Sequence, residues 1–513
     1  MNNLKHPLSL IVIGLLAFIS LILMLNLAGK IYIEKQIQNF DISSFTFPSP
    51  PELKVRVLQR KVSIKEAELA GKGTDKIRVN HLQLKGIHIF PLLFRGNFII
   101  NKVTVDQPGI SISKSAGNIS GKRTEKKIRI KKLEIRNGKL MISEANSTKT
   151  DTLVYTEIDA NVSNININSN VQKFVFQNHS FGRINLSVRN TKYYLLNRLY
   201  HAAIDSLSFD SQNTDFSAYN IRLKSNYPKY EIAHVTGVET DWYDISLSSF
   251  KLKDIRLTEL LKDSLLIAQK AKLNGLQVHS FRDKRLPFPE KEDTKLPMEM
   301  VNSLPVKVHC DSLLLTDSYI QYEEHRKNAD KAGIVKFHQL NAQILNLSNI
   351  DSLIEGTTTM KASAKLMNKS QLDAEFVFPN NRYPKNYKVT GTLQPLQIAV
   401  INPMTAPVAS AKIESGETKT VAFNFVYTNE KSDGEMIFEY ENLKVTLLNK
   451  QNGSNQTLKS FLANTLVIKK NNLQGNDSFN KGEISFERDK KKSIFNYWWK
   501  SLLSGIKDSA ITL

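Results

Sequence analysis

Two apolar residues flank a polar one, two further residues follow, and then a second such pair comes. This spacing recurs along the chain. It stands at Ile77, Val79, Leu82, Leu84; at Phe98, Ile100, Val103, Val105; at Ile128, Ile130, Leu133, Ile135; and at Leu153, Tyr155, Ile158, Ala160. It returns at Ala202, Ile204, Leu207, Phe209; Phe216, Ala218, Ile221, Leu223; Phe250, Leu252, Ile255, Leu257; and Ala271, Leu273, Leu276, Val278. Further copies are Val308, Cys310, Leu313, Leu315; Val335, Phe337, Leu340, Ala342; Phe438, Tyr440, Leu443, Val445; and Phe461, Ala463, Leu466, Ile468.

Spacing of two inside each pair is strand alternation with one apolar face. The odd step between pairs would throw the second pair to the other face of a straight strand. One inserted residue, a β-bulge, returns both pairs to one face and bends the strand. The pattern therefore predicts a curved sheet with an apolar inside, against the alternative of ordinary β-sandwiches stacked face to face. Asn137-Gly138 and Asp433-Gly434 read as two-residue hairpin turns, and successive antiparallel strands follow from them. Helical periodicity is confined to short stretches near Tyr193–Tyr200 and Leu257–Gln269 and to the two ends.

At the amino end, Leu8 to Leu27 contains no charged residue. At about 1.5 Å per residue it covers roughly 30 Å, one hydrocarbon core, so residues 8–28 predict an uncleaved single-pass anchor. Lys5 on one side and Lys30 and Lys35 on the other leave charge nearly silent on orientation; a short tail inside and the long remainder outside is the economical reading. At the carboxyl end, Ile494, Phe495, Trp498, Trp499, Leu502, Leu503 and Ile506 recur at helical spacing after Lys490-Lys491-Lys492. They predict an amphipathic helix with the face Ile494, Trp498, Leu502, Ile506, serving as a plug on the last strand's edge or as an interfacial helix on a membrane.

The 513 residues carry 70 Lys and Arg against 49 acids, a net charge of +21. The basic residues mostly alternate with apolar ones along strands. The densest cluster, Lys122 to Lys132, lacks the interleaved aromatics of a single-strand binder, so nucleic acid is not expected as a partner. Attraction to anionic lipid is a secondary consequence. The sole cysteine, Cys310, reads as a small core residue and forbids an internal disulfide.

No enzyme signature emerges. Gly71-Lys72-Gly73-Thr74 lacks the first glycine of a phosphate loop, no Gly-x-Ser-x-Gly elbow occurs, and His81, His88 and His325 have no partner at metal-ligand spacing. No catalytic residue, metal ligand or cofactor is expected.

The segment Leu82 to Gly96, followed by Ile100 to Ile112 with its Pro108-Gly109, resembles the N-terminal region of AsmA-like proteins. Leu393 to Leu396, Asn402-Pro403, Ile413 to Glu417 and Gly434 to Leu448 are similar to the C-terminal region of the same group. The resemblance implies an inner-membrane-anchored protein of the Gram-negative periplasm, related to the repeating β-groove, bridge-like lipid transfer superfamily, acting in phospholipid movement or outer-membrane homeostasis. It carries over no catalytic set.

The expected fold is mainly β: an elongated, curved antiparallel sheet forming an apolar groove, with the N-terminal transmembrane helix and the C-terminal amphipathic helix. The expected divisions are an anchor over 1–29, β-groove regions over 30–282 and 305–488 joined by a Pro-rich linker at 283–304, and the helix over 489–513. The groove lining is expected from Leu82, Leu84, Ile130, Leu133, Ile135, Leu252, Ile255, Leu257, Leu313 and Leu315. Its partners are phospholipid acyl chains and the inner membrane, with other envelope proteins in second place. A scaffold that assists outer-membrane protein assembly without carrying lipid is the competing reading.

Overall fold

The computed structural model describes residues 51–70, 76–89, 91–92, 97–113, 127–143, 152–168, 179–195, 198–290, 292–380, 386–448 and 467–512, together with Ile31 and Pro48. The anchor expected at residues 8–28 lies outside them, and no helix among the described residues is long and apolar enough to cross a membrane. The fold is mainly β, and the chain divides into two compact units, Met1–Leu196 with Ile204–Asn213, and Asn197–Ala203 with Thr214–Leu513.

The first unit is an open curved sheet of β1 (Glu52–Arg56), β2 (Lys61–Ala70), β3 (Lys76–Ile87), β4 (Phe98–Ser113), β5 (Lys127–Ser143), β6 (Thr152–Asn168), β7 (His179–Ser180), β8 (Ile184–Tyr194) and most of β9 (Tyr200–Asp210). Sequential neighbours pair antiparallel from β1 to β4 and again from β5 through β6 to β8, while β7 borders one end of β6. β4 and β5 are parallel.

The second unit contains β10 (Asp215–Ser225), α1 (Glu231–Thr236), β11 (Asp241–Ile255), α2 (Leu257–Asp263), β12 (Leu265–Lys284), α3 (Pro297–Asn302), β13 (Lys307–Arg326) and β14 (Gly333–Ser348). β15 (Thr358–Leu366), β16 (Ser370–Phe378), β17 (Tyr387–Leu393), α4 (Asn402–Ala409), β18 (Ala411–Tyr427), β19 (Lys431–Leu447), β20 (Val467–Ile468), β21 (Gly482–Glu487), α5 (Ile494–Ala510) and β22 (Ile511–Thr512) follow. Neighbours from β10 to β19 pair in order, β19 then pairs β21, and all these ladders are antiparallel except β12–β13. β20 and β22 form a separate pair.

The two parallel ladders depart from the antiparallel expectation, because a parallel neighbour needs a return crossover. For β12–β13 the return is residues 285–306. A 20-residue strand spans roughly 65 Å, and the crossover reaches little farther at full extension. Pro287, Pro289 and Pro305 favour extended backbone in that segment, while Pro297 opens the six-residue helix α3 within it. The Pro-rich stretch 283–304 thus lies inside the second unit: Asp283 and Lys284 end β12, and Leu296 and Met298 are buried in the core.

The odd step is where strand regularity breaks. Left-handed backbone occurs within the strands at Asn220, Asp254, Gly275, Gln339 and Asn442, each one residue before the second apolar pair. The breaks align across strands. In the second unit the ladders skip Asn220, Ser248 and Gly275 in one row, which continues to Asp317 and Gln339. A second row skips Asp254, Gln269, Asp311 and Asn346. The first unit repeats this with Glu66, Asn80, Gln107 and Asn137, and with Gly86, Asn101, Lys131 and Asn164.

Because neighbours break in the same row, register largely survives each crease while every strand gains one residue. Burial keeps phase: Lys131 and Lys132 are both exposed while Ile130 and Leu133 are covered, and Gln269 and Lys270 are both exposed between buried Ala268 and Ala271. Asn and Asp serve because their short polar side chains tolerate positive φ, and Gly because it has no Cβ. At Gly275 a Cβ would stand 2.5 Å from Ser248 Oγ.

The same chemistry corrects the hairpin reading. Asn137-Gly138 lies inside β5 and Asp433-Gly434 inside β19. Asn137 adopts φ 51° as a crease residue, its N–H donating to Asp159 Oδ1 at 2.7 Å. Helix is likewise absent at Tyr193 and Tyr200, which are strand residues, whereas Leu257–Asp263 is helical.

Candidate functional site

Cross-strand partners turn the repeated pairs into apolar rows. In the first unit Val62, Leu84, Val103, Leu133 and Val162 stand side by side, and next to them Ile64, Leu82, Val105, Ile135 and Ala160. Val62, Ile64, Val103 and Ala160 are buried, with Leu82, Leu84, Ile130, Leu133 and Ile135 half-buried. Leu82, Leu84, Ile130 and Leu133 pack on the first unit's core cluster, which Leu92 joins.

In the second unit one row runs Leu252, Ala271, Leu313, Ile344, Met360, and the next runs Phe250, Leu273, Leu315, Ala342, Ala362. Leu252 and Ile255 are buried, Leu313 and Leu315 half-buried. Leu257 is a correction to the strand pattern. Asp254 turns left-handed, β11 ends at Ile255, and Leu257 opens α2.

The largest core lies toward the end of the second unit and is aromatic: Phe378, Tyr387, Phe423, Phe425, Tyr427, Phe438 and Tyr440. α5 lies across it. Ser493 caps its start, the Asn496 N–H donating to Ser493 Oγ at 3.3 Å. Ile494 is buried in the cluster, and Trp498, Leu502 and Ile506 pack against it, Trp498 with its ring 4.8 Å from Phe376.

The closest approach uses a different stripe, Tyr497, Ser501, Gly505 and Ser509, all buried. A Cβ on Gly482 of β21 would sit 2.1 Å from Gly505 O, and one on Gly505 would sit 2.8 Å from Ile484 Cγ1. Ser501 Oγ meets Ser432 Oγ at 2.7 Å. The helix thus covers the face of β19 and β21. Phe495 and Trp499 point away, 70% and 49% exposed.

The polar side of the sheets is organised by charge. Glu134 accepts from Lys102 at 2.8 Å, Lys132 at 2.7 Å and Arg136 at 2.7 Å. The Lys102 bond first, then Lys132, outweigh burial and bring its pKa down to about 2. In the second unit burial opposes the charge of Glu324, but Lys284 at 2.5 Å and Arg326 at 2.9 Å hold it below the ordinary carboxylate range. Burial pushes the Cys310 thiol up.

One arrangement has no signature along the sequence. His81 Nε2 lies 2.8 Å from Ser63 Oγ and its Nδ1 lies 3.3 Å from Asp106 Oδ2, the order of a nucleophile, base and carboxylate. They sit on three adjacent strands. Ser63 is in register with Lys54 on one side and Gln83 on the other, so its strand is paired on both edges. The trio is a cross-strand hydrogen-bond chain. Among the described residues no group of His, Cys, Asp and Glu is placed to hold a metal.

Comparison with protein-family models gives no match for this chain, and comparison with curated protein sequences gives none either.

Proposed function

We propose that this chain is a membrane-anchored periplasmic protein that holds or passes phospholipid for outer-membrane homeostasis, its acyl chains lying on the creased apolar face. The observation that carries the reading is the alignment of the creases. It keeps Leu133 and Ile135 in phase with Ile130, and Leu313 and Leu315 in phase with Cys310, over strands of 17 and 20 residues. At about 0.8 kcal/mol per methylene, two sixteen-carbon chains cost roughly 25 kcal/mol in water. An apolar face under the chains with the headgroup left wet removes most of that cost. The resemblance of both chain ends to AsmA-like proteins, and the anchor expected at residues 8–28, support the same location.

The test is phospholipid content. The full chain, extracted in mild detergent, carries phospholipid in stoichiometric amount by mass spectrometry, and Leu133→Glu, Ile255→Glu and Leu313→Glu each lower it. If all three variants fold normally and retain as much phospholipid as the parent, the groove reading fails. If the parent itself carries none, the scaffold reading takes its place.

A further inference from the structure

Where β12 and β13 end, the second unit holds a cleft of about 490 Å³. Its lining includes Lys284, Arg326, Lys327, Lys492 and Lys500, against the carboxylates Glu239 and Asp489. Lys284 and Arg326 share Glu324 behind them. Five cations thus meet three carboxylates, leaving two positive charges uncompensated. No carboxylate stands within ion-pairing reach of Lys492 or Lys500 among the described residues; Lys492 Nζ lies over the Phe288 ring at 3.3 Å.

Uncompensated cations crowded in a partly desolvated cleft repel one another, and a bound anion removes that penalty. Burial first, then Lys507, Arg326 and Lys284, push the Lys500 ammonium below its ordinary pKa. Burial likewise lowers Lys492; Glu239 and Asp489 oppose the shift, and Lys284 and Arg282 add to it. The cleft is not wholly polar. Pro407 and Phe486 line it, and Phe486 packs on the aromatic core beneath α5.

We infer that this cleft binds a phosphate group, with Lys492 and Lys500 as its principal charge partners and Phe486 beside the group's apolar attachment. Where the phosphate belongs to a lipid headgroup, the inference rests on the function proposed above; the anion site itself stands without it.

The test uses the full chain in mild detergent with three probes: inorganic phosphate, dihexanoyl phosphatidic acid and dihexanoyl phosphatidylcholine. The acid binds most tightly, inorganic phosphate competes with it, and Lys492→Gln and Lys500→Gln each weaken it about tenfold. Lys500→Arg retains binding, and Lys388→Gln, at an exposed position on β17, leaves it unchanged. Thermal unfolding of each variant confirms that loss of binding is not loss of fold.

If inorganic phosphate binds and responds to both lysines while neither lipid does, the anion site holds and the lipid reading falls. If no phosphate-bearing probe binds, or Lys492→Gln and Lys500→Gln bind like the parent, the inference is overturned.

Discussion

The seam between α5 and β21 makes a quantitative prediction. Replacing Gly482 with Ala puts a methyl carbon 2.1 Å from the Gly505 carbonyl oxygen. The obstacle is backbone, so no side-chain rotation relieves it, and α5 must lift by more than 1 Å, roughly, to restore van der Waals distance. That shift loosens Trp498, Leu502 and Ile506 from the aromatic cluster and separates Ser501 from Ser432. Overpacking a tight contact costs about 1–3 kcal/mol, and a rigid backbone partner places Gly482→Ala at the upper end. About 3 kcal/mol lowers the melting temperature of a unit this size by roughly 5 °C.

Gly356→Ala is the control, since nothing lies within 4 Å of its added Cβ. The assay is urea unfolding followed by tryptophan emission. Two of the three tryptophans, Trp498 and Trp499, lie on α5, so a displaced helix also red-shifts the native spectrum. If Gly482→Ala and Gly356→Ala unfold at the same urea concentration with the same native spectrum, the seam argument is wrong.

Two further outcomes follow from buried polar groups. Glu134 has a depressed folded pKa, so its stabilisation is present above the unfolded value of about 4.5 and is lost as pH falls towards about 2. Glu134→Gln therefore costs about 2 kcal/mol near neutrality and little near pH 2; a difference independent of pH would refute this. Asn349 accepts from the Val308 N–H at 2.6 Å and donates to the carbonyls of Val301 and Val306, each at 3.1 Å. Asn349→Ala should cost about 3 kcal/mol and speed hydrogen exchange at the Val308 amide; unchanged protection there would show that the crossover is fastened elsewhere.

What was legible in the chain was whatever repeats locally. The apolar pairs and the odd step between them predict both the strands and their breaks, because burial and backbone conformation are decided within a few residues. The same locality misleads at Asn137-Gly138: left-handed propensity is common to a hairpin turn and to a crease, and only the neighbouring strand's register separates them. It also misleads at Leu257, where an apolar residue keeps the spacing after the strand has ended. Parallel pairing of β12 with β13 depends on where residues 285–306 run, which no local pattern states. The helix seam was hidden because hydropathy marks Trp498 and Leu502 but is silent on Gly505 and Ser501, whose value is their smallness. The cationic cleft gathers residues from Lys284 to Lys500 and has no linear signature.

The creases also explain how one face stays apolar over such long strands. A strand of 20 residues, such as β12, is roughly 65 Å long, against the ~15 Å that one leaflet's acyl chains occupy. A regularly alternating strand of that length coils progressively and turns its face away from its neighbours'. A break placed in the same row of each strand bends them together instead, so Leu273 remains beside Phe250 and Leu315 after the Asp254–Gln269–Asp311 row. The requirement is collective. Losing the extra residue from one strand alone, for example by deleting Gly275, would shift Leu276 and Val278 to the polar side and bring Gln277 inward, while β11 and β13 kept theirs. The lipid-facing surface proposed here therefore depends on the crease rows as much as on the hydrophobicity of the residues between them.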